Sequence, residues 1–342
     1  MKRSLILAAS LIPFSMGGLT TSGALAAAYT TGDVFVGVGN GIIKEFTPTG
    51  VLVQTLTETC TGCSTSETTG MAFDSSGNLY ATAFTANNVE KFNNNGVIQG
   101  TFGSGYNLHP ESVVVDNTNG VVYIGQADGS ANVLKFSLSS GMLLQSFAPT
   151  VGPRGTDWID LASDLKTLHY TSEGNLVRAF DVSTNTQLAN FATLPSSPAF
   201  AHRILSNGGE LVATSSQAIQ LNSSGGVVKT YALPGASSLF ALNLDPNGTD
   251  FWTADYTTGE VFEVNIATGA IDEMWNAGRV GASVAGLAVF GEICATCNPV
   301  PAPSIGRGLP LLLAVGGILF GAKLLEHGTK RRSIGTATPH AA

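Results

Sequence analysis

The sequence predicts an all-β fold, a six-bladed β-propeller closed by a split blade. Three observations lead to this prediction: a repeat of roughly 40 residues, alternating apolar positions within short segments, and 41 glycines among 342 residues. Glycine, together with Asn and Asp, supplies the positive-φ positions that tight hairpins need. Four short strands that recur at this period describe one propeller blade.

The first half of the repeat reads apolar-apolar-x-Asp, then a Gly/Asn turn, then a strand that often carries an aromatic residue. Copies lie at residues 71–80, 113–123, 159–170, 204–214 and 242–252. We expect the turn residues Asp74, Asp116 and Asp245 to shape these hairpins rather than to bind a ligand. The aromatic residues are expected to pack between blades.

The second half of the repeat adds two more strands joined by a turn. It completes five units between Glu67 and Gly278. In the fourth blade around the ring, the outermost strand is predicted at residues 187–191.

The remaining segments at the two ends of the domain form the sixth blade. Residues 33–38, 41–47 and 50–57 read as the last three strands of a blade, and residues 283–290 read as its missing first strand. The predicted ring is therefore closed by three N-terminal strands and one C-terminal strand. Closure removes sheet edges that would otherwise template aggregation.

The phrase Asp-x-x-Gly-Asn-Leu-Tyr that begins at Asp74 resembles the NHL and related YVTN-type propellers of exported bacterial proteins. The resemblance covers the propeller, predicted at residues 29–297, and it implies architecture. Propellers carry many unrelated functions, so the function has to be argued from a site.

Residues 1–28 form a predicted secretory signal peptide. Lys2 and Arg3 precede an apolar run, and small residues before Ala26 and Ala28 offer two cleavage sites. We therefore expect the protein to be exported.

The C-terminal segments differ in composition from the repeats. Residues 298–308 form a Pro-rich linker, residues 309–326 a predicted transmembrane or sorting helix, and residues 327–342 a basic tail. The basic flank predicts a cytoplasmic C-terminus. The membrane is thus one expected partner.

These segments resemble the PEP-CTERM sorting signal, although Ala302 stands where that family has Glu. The residues that carry the resemblance are Pro301, Pro303, Lys330, Arg331 and Arg332. The resemblance implies processing by an exosortase-type enzyme, with the protein membrane-anchored or at the cell surface afterwards. A plain C-terminal anchor is the alternative.

The charge of the predicted propeller is strongly negative. Residues 29–298 hold nine Lys and Arg against 23 Asp and Glu, a net charge of −14. Such a surface repels phosphate backbones, so nucleic acid is excluded as an expected partner.

The four cysteines form two Cys-x-x-Cys pairs, at Cys60 with Cys63 and at Cys294 with Cys297. Cys60 follows the fourth strand of the closing blade and Cys294 its first, and these strand ends point to opposite faces. Export also places the thiols in an oxidising compartment. Two local disulfides are predicted, and a zinc site, cross-pairing or free thiols are the alternatives.

The starts of the innermost strands carry polar residues that would meet at the central channel. These are Glu67, Thr68, His109, Glu111, Asp157, Asp160, His202 and Asn243. We consider five of them candidate metal ligands, namely Glu67, His109, Glu111, Asp157 and His202. Oxygen-rich sets of this kind favour Ca²⁺ or Mg²⁺. The simpler interpretation is that strand starts near solvent are ordinarily polar, and no other cofactor is predicted.

Two functional hypotheses follow. The first is a binding module of the cell surface or envelope, with a polysaccharide or a surface protein as partner; the tail's family resemblance implies the exopolysaccharide link. The second is a metal-dependent hydrolase or lyase, which would resemble gluconolactonase-type and streptogramin lyase propellers.

Overall fold

A computed structural model describes residues 28–281 and 283–293. Nearly all of the predicted signal peptide lies outside this range, as do the predicted linker, C-terminal helix and basic tail. Cys294, Cys297 and the five sorting-motif residues also fall outside it. No helix within the described range is long and apolar enough to cross a membrane.

The described chain forms 25 strands and one 3-10 turn at Cys63–Thr65. The first three strands are β1 (Val34–Gly37), β2 (Ile42–Phe46) and β3 (Leu52–Thr57). Blade 2 holds β4 (Thr68–Phe73), β5 (Leu79–Ala83), β6 (Asn88–Phe92) and β7 (Ile98–Thr101). Blade 3 holds β8 (Pro110–Asp116), β9 (Val121–Gln126), β10 (Val133–Ser137) and β11 (Leu143–Phe147).

The second half of the ring follows the same order. Blade 4 holds β12 (Ile159–Leu161), β13 (Thr167–Tyr170), β14 (Leu176–Asp181), β15 (Thr186–Gln187) and β16 (Ala192–Thr193). Blade 5 holds β17 (Ala199–Ile204), β18 (Glu210–Thr214), β19 (Gln217–Leu221) and β20 (Val227–Ala232). Blade 6 holds β21 (Leu239–Leu244), β22 (Asp250–Asp255), β23 (Glu260–Asn265) and β24 (Ile271–Asn276). The last strand is β25 (Gly286–Val289).

The split blade is confirmed. Strand β25 pairs antiparallel with β1, which places Val289 opposite Val34, and the sheet continues through β2 to β3. This four-stranded sheet is blade 1, and it completes a ring of six antiparallel sheets. The predicted six-bladed all-β architecture is therefore present.

Burial falls from the axis outward. Every residue of the inner strands β8, β17 and β21 is buried, whereas the outer strands β11 and β24 are largely exposed. The inner strands of neighbouring blades approach so closely that glycine is required. A Cβ at Gly70 would lie 2.3 Å from the carbonyl oxygen of Glu111, and one at Gly286 would lie 2.5 Å from two carbonyl oxygens of β4.

The turn aspartates also hold the aromatic residues of the following strand. Asp74 Oδ1 accepts the backbone N–H of Ser76, while its Oδ2 accepts the hydroxyl of Tyr80 at 3.1 Å. Asp245 likewise accepts the indole N–H of Trp252 at 2.8 Å. The repeat therefore encodes both the hairpin turn and an anchored aromatic side chain between blades.

Blade 4 departs from the prediction at its outer edge. The prediction of a single outer strand at residues 187–191 is wrong. Instead β15 and β16 are two short strands that both pair with β14. The side-chain amide of Gln187 donates to the carbonyl of Ala179 at 2.8 Å, and the N–H of Leu188 donates to the same carbonyl. The ladder is broken beyond Leu188, where residues 189–191 intervene before Ala192, the partner of Val177.

Candidate functional site

A cavity of about 390 Å³ opens on the ring axis, and we call it the axial cavity. Two kinds of position surround it: residues at or just before the starts of inner strands, and residues near the ends of second strands. Its lining residues are Glu67, Thr69, Phe84, Glu111, Arg154, Glu173, Phe200, Ser238, Phe240 and Tyr256. They come from blades 2 to 6. The second strand runs antiparallel to the first, so both kinds of position reach the same end of the ring.

One wall of the axial cavity is an ordered ion-pair network centred on Arg154. Its Nη1 lies 3.0 Å from Glu173 Oε1, and its Nη2 lies 2.9 Å from Asp128 Oδ2. His109 Nδ1 lies 2.7 Å from the same Asp128 oxygen, and the His109 ring stacks on Phe84 at 4.3 Å between centroids. Burial alone would raise the pKa of Asp128, but hydrogen bonds from His109 and Arg154 lower it below the ordinary value.

The opposite wall is aromatic. The ring centroids of Phe200 and Phe240 lie 4.9 Å apart, and those of Phe240 and Tyr256 lie 5.3 Å apart. The hydroxyl of Tyr256 donates to Glu67 Oε1 at 2.9 Å, and the Ser283 hydroxyl, from the segment that leads into β25, also hydrogen-bonds to that oxygen. We call Phe200, Phe240 and Tyr256 the aromatic wall.

Glu111 and Asp157 lie together beneath this cavity, and each is 1% exposed. All four of their carboxyl oxygens are buried, and the two carboxyls hydrogen-bond to each other through a shared proton but to no other donor among the described residues. Burial raises the pKa of Glu111 to about 8, with Arg154 acting in the opposite direction. Burial and then the charge of Glu111 raise the pKa of Asp157 well above its ordinary value. This pair resists carrying two negative charges at once.

His202 does not join these groups. Its Nδ1 lies 3.0 Å from Glu210 Oε2, and Glu210 Oε1 contacts His169 Nδ1 of the neighbouring blade. Glu210 is fully buried; burial would raise its pKa, but the two histidine hydrogen bonds lower it. The imidazole of His202 thus belongs to a buried contact between blades 4 and 5.

The opposite end of the ring axis is occupied by another network. Glu292, which follows β25, lies 2.9 Å from Arg203 Nε and accepts the side-chain N–H of Asn243 at 2.8 Å. Asp160 accepts the backbone N–H of Ile204 at 2.8 Å. Asp160 and Asn243, which we expected at the channel, therefore link blades to one another.

The five candidate metal ligands do not form one set. Glu67 and Glu111 line the axial cavity, Asp157 lies against Glu111, His109 belongs to the network of Arg154, and His202 is bound to Glu210. In residues 28–281 and 283–293, no group of three or more His, Cys, Asp or Glu side chains is arranged to hold a metal ion.

Sequence reasoning missed Arg154, Glu173 and the aromatic wall. A usable signal was present for Glu173 and Tyr256, because they share one position of the repeat with Phe84 and Asp128 of the same site. Phe84, Asp128, Glu173 and Tyr256 each lie one to three residues after the second strand of their blade. Phe200 and Phe240 instead lie at the starts of the inner strands β17 and β21, where only polar side chains were expected to contribute to a site.

One of the two predicted disulfides lies within the described residues, and it is confirmed. Cys60 and Cys63 form a disulfide, and Cys63 is fully buried beside the start of blade 2. The second predicted pair, Cys294 with Cys297, lies outside the described residues and stays a prediction.

No protein-family model matches this chain, and no curated protein matches it in sequence. In structure it is similar to a chain in the crystal structure of a nidogen–laminin complex. The two are 14% identical with a TM-score of 0.61, and the match covers 75% of this chain and 97% of the other. At this identity the likeness establishes the fold, and the site has to carry any functional argument.

Proposed function

We propose that this chain is an exported, NHL-type propeller that acts as a binding module at the cell surface or envelope, with a polysaccharide as its ligand. The observation that carries the proposal is the composition of the axial cavity, which is lined both by an aromatic wall and by the carboxyl groups of Glu67, Glu111 and Glu173. Sugar rings offer apolar faces that pack on aromatic rings, and their hydroxyls donate to carboxylates. The volume suits a small ligand or the end of a longer chain.

The proposed location rests on the terminal segments. The signal peptide would direct export, and the PEP-CTERM-like tail would hold the propeller at the membrane until an exosortase-type enzyme processes it. Deleting residues 301–332 should then release the protein into the medium. Unchanged retention in the envelope would contradict the proposed anchor.

Binding is tested with the full-length protein and polysaccharide isolated from the producing cells. Phe200→Leu and Phe240→Leu keep apolar volume but remove the flat rings, so each should weaken binding by about tenfold, as expected for losing one aromatic contact. Phe191→Leu, at the outer edge of blade 4, is the matched control and should bind as the unaltered protein does. Equal binding by all four proteins would place the ligand elsewhere.

A hydrolase or lyase reaction in the same cavity is a second candidate. The observation in its favour is the Glu111–Asp157 pair, because burial raises the pKa of Glu111 to about 8 and a carboxyl that is protonated near neutral pH can act as a general acid. Metal analysis and a screen of lactone and ester hydrolysis test it. Turnover that disappears in Glu111→Gln would favour the enzyme over the binding module.

A further inference from the structure

The carboxyls of Glu111 and Asp157 lack the partners that buried charged groups normally have. The nearest cation, Arg154, already donates through Nη1 to Glu173 and through Nη2 to Asp128. Buried acidic groups are costly unless a proton or a positive charge accompanies them. Among the described residues, the only donor to this pair is the proton that the two carboxyls share, and the cation that acts on them is already committed elsewhere.

The charge around the axial cavity is one-sided. Glu67, Glu111 and Glu173 line it, and Asp157 lies behind them, whereas Arg154 is its one basic lining residue. The whole domain carries a net charge of −14. This field attracts cations and repels anions.

The aromatic wall favours an organic ammonium group over a metal ion as the bound cation. Phe200, Phe240 and Tyr256 form a continuous surface of ring contacts at 4.9 and 5.3 Å. Ring faces attract ammonium groups and pack against carbon skeletons. A hard metal ion such as Ca²⁺ instead requires six to eight oxygen ligands, which phenyl rings cannot provide.

We propose that the axial cavity binds a primary ammonium group on a sugar, with the ammonium at Glu111, which lines the cavity and is backed by Asp157, and the sugar ring against the aromatic wall. The inference rests on the proposed polysaccharide-binding function and names the class of polysaccharide, one with free amino groups. An ammonium offers three N–H donors and a positive charge, which would offset the negative charge that this pair resists carrying when the two carboxyls have only each other as partners. An acetylated amine has lost that charge and cannot replace it.

The test compares two short probes, a glucosamine disaccharide and its N-acetylated counterpart, by calorimetry on the full-length protein at low salt. We expect the free amine to bind about tenfold tighter or more, and added salt to reduce the difference. Short probes limit non-specific attraction between a polycation and an acidic protein.

Two variants and one control test whether the preference for the free amine arises at Glu111 and Asp157. Glu111→Gln should abolish the preference for the free amine, and Asp157→Asn provides a second variant of the same pair. Asp272→Asn removes one exposed carboxylate from strand β24 and should leave the preference unchanged. Equal loss in all three variants would mean non-specific charge attraction and would overturn the inference.

The remaining outcomes separate this inference from the proposed function. Equal affinity for both disaccharides, or binding of only the native polysaccharide, refutes the ammonium site and leaves polysaccharide binding intact. Binding of neither disaccharide nor polysaccharide refutes both. Displacement of the amine by millimolar Ca²⁺ in unaltered protein and in Phe240→Leu alike would assign the pair to a metal ion instead.

Discussion

Glu58 offers a direct test of how a buried carboxyl makes the stability of this propeller depend on pH. It follows β3 and is 4% exposed. Thr68 donates its hydroxyl to Glu58 Oε1 at 2.9 Å, whereas Oε2 is buried and has no hydrogen-bond partner among the described residues. Burial raises the pKa of Glu58 from 4.5 to about 8, and the charge of Glu90 acts in the same direction.

The direction of the pH effect on stability follows from the pH at which Glu58 ionises in the folded and in the unfolded protein. The unfolded chain loses this proton near pH 4.5, whereas the folded protein keeps it until about pH 8. Raising the pH through this window therefore favours the unfolded state, and stability that is complete below pH 4.5 is lost by pH 8. A pKa difference of this size corresponds to about 5 kcal/mol in the free energy of unfolding.

The perturbation is Glu58→Gln, which keeps the shape and a carbonyl acceptor for Thr68 but cannot ionise. We expect the variant to match the unaltered protein within about 1 kcal/mol at pH 4. At pH 9 it should be more stable by about 3–5 kcal/mol, since it escapes the cost of the buried charge.

The assay is urea unfolding followed by circular dichroism at several pH values between 4 and 9. The difference between the two stability curves isolates Glu58 from the other titrating groups. Asp272→Asn, at an exposed site, should shift stability by less than about 0.5 kcal/mol at every pH. A constant difference between Glu58→Gln and the unaltered protein across the range would refute the reasoning.

Three further predictions concern how the ring is held together. Gly70→Ala should destabilise the fold by about 3 kcal/mol or more in urea unfolding, because the new Cβ would lie 2.3 and 2.5 Å from backbone atoms of β8. Gly174→Ala is the control and should destabilise the fold much less, because its Cβ would lie 3.2 Å from a proline side chain. Replacing both Cys60 and Cys63 by Ser should lower the free energy of unfolding by about 2 kcal/mol, the value expected for a disulfide that closes so short a loop. Non-reducing peptide mapping of the unaltered protein should show the 60–63 disulfide, and a disulfide from either residue to Cys294 or Cys297 would contradict the prediction. Asp245→Ala should cost about 2–3 kcal/mol, since the Trp252 indole N–H loses its buried acceptor, and Asp245→Asn should recover most of that loss; equal losses would argue against the bond.

Much of the fold could be predicted because short-range sequence patterns specify the strands and turns of each blade. Strand alternation and turn residues lie within a few positions of each other, and the repeat shows the same order in each blade. The outer edge of blade 4 escaped prediction because residues 189–191 interrupt its pairing with β14. Nothing in the spacing of apolar residues reveals such an interruption.

The candidate site was predicted in part. Glu67 and Glu111, chosen because the starts of inner strands converge, line the axial cavity, and Asp157 lies against Glu111. Arg154 and Tyr256 were missed because they lie in connecting segments, whose paths are hard to predict from the repeat. Phe200 and Phe240 were missed although they lie at the starts of β17 and β21, because only polar side chains were considered there.

The sequence by itself determined the number of blades, the split closure, the turn aspartates and the strongly negative charge of the domain. Each of these depends on local spacing or on composition. The tertiary structure alone decided which polar groups acquire partners. Glu210 of the adjacent strand binds His202, Glu292 pairs with Arg203 across 89 positions of sequence, and Glu111 and Asp157 lie together without a hydrogen bond from a cation. Such pairings depend on how the closed ring brings distant strands together, and that geometry is absent from any single repeat.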